Sequence, residues 1–247
     1  MGALINTGNG SVISHGSLHH YRDYGLMLRN LSNGSIEHNT VYDQYDQANW
    51  VSHSLDLFSC TNSTVTSNEV HDTYNASTQT TACSSSTVIG NVCTNIQWNA
   101  YKSDGDTGTN PVQLNHWNNI GGYAIFFGGS QGMSNGTWTF DQNIWENLFD
   151  VIQPDNSEVS WKFRTASGLT TTSVINFTNN EVSDFHRVDS ALPVLLSAFP
   201  GPYSVTNNTF DTVGPKNGTT PPVYGRVFQN DPTGNESGNT YINCVRF

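Results

Sequence analysis

One short pattern returns along the chain and constrains its fold more than any other feature. It is an apolar residue, two variable positions, Asn, one variable position, an apolar residue, one variable position, then Asp or Asn. It reads IEHNTVYD around Asn39, VTSNEVHD around Asn68, VIGNVCTN around Asn91, VQLNHWNN around Asn115, FDQNIWEN around Asn143 and FTNNEVSD around Asn180. VTNNTFDT around Asn208 follows it except for Thr212 in the last place, and ISHGSLHH around Gly16 and ESGNTYIN around Asn239 are weaker members. Successive key positions are 23, 29, 23, 24, 28, 37, 28 and 31 residues apart. A floor with irregular additions fits a coil of three short strands, because loops lengthen outward without disturbing a stack.

The pattern has a physical reading. Alternate apolar residues on either side of the Asn point into a solenoid, and the Asn takes a sharp bend where its side chain tolerates an unusual backbone conformation. Stacked asparagines about 4.8 Å apart then hydrogen-bond from coil to coil. A further strand lies upstream in most coils, marked by Leu26 and Leu28, Leu55 and Leu57, Ile125 and Phe127, Trp161 and Phe163, and Leu195. Charged residues are only 12% of the chain, and Asn, Ser, Thr and Gly dominate, so long amphipathic helices are not expected. A β-sandwich would need longer, strictly alternating strands and hairpin turns, which the fixed Asn position argues against. The repeat resembles the right-handed parallel β-helix family, whose pectate-lyase-like members include polysaccharide lyases, glycoside hydrolases, epimerases and phage tailspikes. The expected fold is therefore all-β: one right-handed parallel β-helix solenoid of about nine coils over residues 1–247, with repeats from about 10 to 245.

Composition excludes several functions. Twenty acidic against nine basic residues give a net charge of −11, the wrong sign for gripping nucleic acid or an anionic membrane surface. No apolar run approaches the roughly 20 residues of a spanning helix. Cys60, Cys83, Cys93 and Cys244 contain no CxxC pair, so a structural zinc site has little support. Cys60 and Cys83 are placed to stack on adjacent coils, as buried thiols or as a disulfide. The opening MGALINTGNG lacks the basic flank and apolar stretch of a signal peptide. Ten Asn-x-Ser/Thr sites suggest a glycoprotein, but with 30 Asn in a Ser- and Thr-rich chain chance explains most of them.

In the resembling enzymes substrate lies along the outer face of one sheet. Here that row comprises Met27, Arg29, Asp56, Phe58, Gln79, Lys102, Asp104, Phe126, Lys162 and Arg164. Glycoside hydrolysis needs two carboxylates, which Asp56 with Asp104 or Asp106 would supply from two coils apart. A lyase or epimerase acting on uronic acids needs a cation for the substrate carboxylate and a base for the ring proton; Lys102, Arg164 and Lys162, with His53, are the available set. None of the GHG, RIK or DPHE signatures of polygalacturonases and alginate epimerases is present. The stretch from Asp104 to Asn110 offers Asp104 and Asp106 as hard oxygen ligands for Ca2+ around a tight turn, without the closing Glu of a calcium loop; otherwise no cofactor is expected. Asp43, Asp72, Asn95, Asn119, Asn147, Asp184 and Asn243 close the repeat and are expected to cap strand ends on turn backbone. The His-, Asp- and Tyr-rich segments beside them, His19 to Asp23, Asp43 to Asp46 and His71 to Tyr74, are a candidate sugar-binding or acid–base cluster. Trp117, Trp145 and Trp161 occupy inward slots, whereas Trp50 and Trp98 fall on loops, where flat rings serve as sugar platforms.

Two functional readings follow. One is a carbohydrate-active protein that binds or cleaves an extracellular polysaccharide. The other is a non-catalytic structural or adhesive solenoid, such as a spike, fibre or surface-layer module, forming a homo-oligomer. Both place the chain outside the cell or on a cell or virion surface.

Overall fold

The computed structural model describes residues 3–5, 8–45, 53–128, 131–149, 161–164, 169–186, 194–196, 201–213, 226–228 and 235–244. Residues 3–5, 149, 161–164, 186, 194–196, 212–213, 226–228 and 235 are described as backbone. The described chain is short β-strands without helices, in three parallel sheets of nine strands each. Every third strand joins the same sheet. One turn of the solenoid runs through Tyr24–Arg29 in sheet 1, Ser35–Glu37 in sheet 2 and Thr40–Gln44 in sheet 3. The next turn lays His53–Phe58, Thr64–Thr66 and Glu69–Thr73 on these in register. This is a parallel β-helix, with the right-handed crossover that parallel strands impose.

The inward positions form one continuous core. Ile36, Val65, Val88, Val112, Phe140, Phe177 and Val205 stack in sheet 2, opposite Val41, Val70, Cys93, Trp117, Trp145, Val182 and Phe210 in sheet 3. The stack begins aliphatic and becomes aromatic, with Trp117 and Trp145 rings parallel at 5.1 Å and Trp145 on Phe177 at 5.4 Å. Trp138 joins them in the core. Cys60 and Cys83 stack on adjacent coils as buried free thiols, the Cys60 N–H pointing to the Cys83 Sγ at 3.4 Å.

The repeat asparagines form a ladder between sheets 2 and 3. Each donates from both its backbone N–H and its Nδ2 to the Oδ1 of the next, from Asn39 through Asn68, Asn91, Asn115, Asn143, Asn180 and Asn208 to Asn239. Gly16 holds this position in the first coil and donates its N–H to Asn39 Oδ1. The unusual backbone, however, belongs to the residue before the Asn. His38, Ser67, Gly90, Leu114, Gln142, Asn179 and Asn207 all have φ between 53° and 67°. The asparagine contributes its amide and its neighbour contributes the bend.

The column Asp43, Asp72, Asn95, Asn119, Asn147, Asp184 and Asn243 also departs from expectation. Each has positive φ, from 49° to 63°, so it is the left-handed kink of sheet 3, a conformation Asn and Asp adopt most readily among non-glycine residues. Its exposed side chains bond one another across the coils, Asn119 to Asn95 at 2.7 Å and Asn95 to Asp72 at 2.8 Å.

Candidate functional site

Strand register in sheet 1 brings widely separated residues into two adjacent rows. Met27, Asp56, Gln79, Lys102, Phe126 and Arg164 are successive partners in one row. Arg29, Phe58, Thr81 and Asp104 are successive partners in the next. Leu26, Leu28, Leu55 and Leu57 fill the interior from the same strands, which leaves these rows on the outer face. The Arg29 guanidinium lies 4.7 Å from the centre of the Phe58 ring, a cation–π contact.

Most of this outer face is closed to solvent. Asp56 is 1% exposed, Asp104 3% and Gln79 4%, while Lys102, Phe58 and Phe126 are half-buried and Arg29 is exposed. Part of the cover comes from the segment at 131–134, where the Gln131 N–H donates to Asp104 Oδ1 at 3.0 Å and Gln131 packs on Gly105. Burial pushes the Asp56 carboxyl well above its ordinary pKa, opposed by the Lys102 ammonium two strands away. Burial likewise lowers the Lys102 pKa, while Asp104 and Asp56 hold it up. Asp56 Oδ1 and Gln79 Oε1 are buried and accept no hydrogen bond among the described residues.

Sequence reasoning missed Tyr24, which belongs to this cluster. It pairs in register with His53, their rings meet edge to face at 5.6 Å, and both burial and the Asp56 charge raise its phenol pKa. Its only sequence signal was its place two residues before Leu26. His53 is itself buried and lies three residues before Asp56 on the same strand, two or more coils from Lys102 and Arg164.

Asp104 and Asp106 part company at Gly105, whose φ of 74° turns the chain. Asp106 enters the column of Leu31, Cys60 and Cys83 inside the solenoid. Its carboxylate accepts from the Cys83 N–H at 2.8 Å and from the hydroxyls of Thr80 and Ser103. Burial still raises its pKa, to about 6. Asp106 is thus a rung of the interior, and the expectation that it joins Asp104 around Ca2+, or Asp56 as a second catalytic acid, does not fit this geometry. Asn110 braces the same turn by accepting from Ser86 and donating to Thr107 and Gly108 carbonyls. Among the described residues no group of three or more His, Cys, Asp or Glu is arranged to hold a metal ion.

Trp98 is half-buried and meets Tyr123 at 6.4 Å, and Tyr123 stacks on Phe126 at 5.0 Å. An aromatic patch therefore adjoins Lys102 in the outer row. Trp50 lies outside the described residues. Lys162 and Arg164 occupy the strand Trp161–Arg164 of sheet 1, with their side chains outside the described set. The His- and Tyr-rich segments of sheet 3 form a stack instead of a platform. Tyr42 lies between His19 at 5.2 Å and His71 at 4.8 Å, so the ring faces a sugar would need are already covered. His20 and His71 pair with Asp43 and Asp72, each at 2.8 Å.

No protein-family model matches the sequence, and no curated protein matches it. Among solved structures the chain is similar to a pectate lyase from Bacillus sp. N165 in complex with trigalacturonate, at 13% identity and a TM-score of 0.53. That match covers 92% of this chain and 82% of the lyase. It is also similar to the catalytic domain of a family 87 α-1,3-glucanase in complex with nigerose, at 12% identity and a TM-score of 0.38, covering 99% of this chain and 61% of that one. The likeness to the lyase is one of fold, and with the three parallel sheets it makes the chain a pectate-lyase-like parallel β-helix.

Proposed function

We propose that the chain binds an anionic polysaccharide along the outer face of sheet 1 and cleaves it there, outside the cell. The observation that carries this is a segregation of charge. Four of the nine Lys and Arg residues lie at outer-row positions of sheet 1, namely Arg29, Lys102, Lys162 and Arg164, with only Asp56 and Asp104 as acids there. The described strands of sheets 2 and 3 carry no Lys or Arg and ten acids, three on sheet 2 (Glu37, Asp141, Glu236) and seven on sheet 3. A polyanion is repelled by two faces of the solenoid and drawn to the third. The trigalacturonate bound by the similar lyase is a ligand of that chemical class.

The chemistry supported best is acid-assisted cleavage. Asp56, whose burial raises its pKa and so favours the protonated form, is suited to give its proton to the glycosidic oxygen as the bond breaks. Asp104 would take a proton from the attacking water. The two lie two strands apart and two residues along, about 12 Å between Cα atoms, which favours the wider inverting separation over the retaining one. Lys102 between them would hold a uronate carboxylate, and the Phe126, Tyr123 and Trp98 patch would carry the neighbouring ring.

The test is incubation with soluble polyuronates and neutral polysaccharides, scored for new reducing ends and for unsaturated products by ultraviolet absorbance. Turnover of a polyuronate by the wild type and none by Asp56→Asn is the expected result. Unsaturated products would replace the hydrolytic scheme with elimination. Polymers that all remain intact would favour the second reading, a non-catalytic adhesive solenoid, for which the near-complete burial of Asp56, Gln79 and Asp104 speaks.

A further inference from the structure

Gln79 takes no part in the acid–base scheme, yet its surroundings point to a ligand. It lies on the strand between Asp56 and Lys102, in register with both. Its Nε2 donates to Thr81 Oγ1 at 2.6 Å. The Oε1 is buried without a hydrogen-bond donor among the described residues, as is Asp56 Oδ1 on the adjoining strand. A buried acceptor without a donor is uncommon in a folded protein and calls for an explanation. The Gln79 orphan is an acceptor, so what completes it brings a donor. A sugar hydroxyl does so, and a carboxylate does not.

The geometry points to Gln79 as a specificity-determining residue whose Oε1 accepts a ring hydroxyl of the uronate unit that Lys102 holds by its carboxylate, one strand spacing away. This rests on the reading that sheet 1 takes an anionic polysaccharide. On the far side of Lys102 the row continues with Phe126, which has no acceptor. Hydroxyl recognition is therefore one-sided, and it gives the bound polymer a direction.

Equilibrium binding of the wild type and of Gln79→Met to a soluble polyuronate, and to the same polymer O-acetylated on its ring hydroxyls, tests this. The wild type is expected to prefer the free-hydroxyl polymer. Gln79→Met should lose about ten-fold in affinity for that polymer, the worth of one hydrogen bond, and bind the acetylated one as before, so that the preference collapses. If Gln79→Met does not fold, Thr81→Val releases the amide anchor and should show the same loss of preference. Equal binding of the two polymers by the wild type, or a preference that survives in the folded variant, overturns the inference and leaves the reading of sheet 1 standing. A wild type that binds neither polymer overturns both.

Discussion

Replacing Asn115 by alanine should cost about 2 kcal/mol of stability, and the reason is local. Asn115 is 1% exposed. Its Oδ1 accepts from the Asn91 N–H at 3.0 Å and from Asn91 Nδ2 at 2.9 Å, and its Nδ2 donates to the Val88 carbonyl and to Asn143 Oδ1, both at 3.0 Å. Truncation leaves the Asn91 backbone N–H buried without an acceptor, while Asn91 Nδ2 keeps the Val65 and Ile89 carbonyls and Asn143 Oδ1 keeps the Asn115 backbone N–H. At about 1–3 kcal/mol for an unsatisfied buried group, the lost acceptor costs about 2 kcal/mol. Asn239, the last described rung, is part-buried and accepts from Asn208 alone, so Asn239→Ala should cost about 1 kcal/mol. Urea denaturation of the two variants, compared at equal m, measures the difference. A loss below about 1 kcal/mol for Asn115→Ala, or equal losses at the two sites, would refute the claim that the ladder holds the coils in register.

Asp106 predicts an acid-side gain in stability. Its folded pKa of about 6 lies above an unfolded value near 3.9, so the folded state binds the proton more tightly. The contribution is complete below about pH 4 and is lost as the pH rises through about 6, by about 3 kcal/mol at 1.36 kcal/mol per unit; Asp106→Asn should flatten that window in a series of thermal melts. Asp56→Asn should raise the melting temperature while abolishing turnover, because it removes a buried carboxyl that is costly to ionise; a destabilised variant would count against the account. If Asp56 is the proton donor, its raised pKa should carry the fall in kcat to a higher pH than an ordinary carboxyl gives; a rate that climbs with pH assigns Asp56 another role. Lys102→Met should weaken polyuronate binding and reduce its salt dependence, leaving any neutral-glycan binding unchanged, as titrations at two ionic strengths would show.

The coil frame was legible in the sequence because one residue type at one position carries it. An Asn whose amide bridges two coils cannot be exchanged for a neighbour, so it recurs visibly in each coil after the first, where Gly16 stands. The left-handed bend was harder to assign, since His38, Ser67, Leu114 and Gln142 share no side-chain chemistry and are linked only by their backbone. Register also followed from sequence, as the outer row from Met27 to Arg164 depended only on counting from the inward leucines. What covers that row did not, because the Gln131 N–H that closes on Asp104 comes from 27 residues further along the chain. Asp106 misled for a related reason. Asp-Gly-Asp reads as a surface loop of oxygen ligands, and nothing local announces that Gly105 turns the second carboxylate into the core.

The most direct test of the central claim is chromatography of a polyuronate after exposure to the wild type and to the Asp56→Asn and Lys102→Met variants. The account predicts shortened chains from the wild type, an intact polymer that stays bound with Asp56→Asn, and an intact polymer that elutes free with Lys102→Met. A polymer that is neither shortened nor retained by the wild type would contradict it.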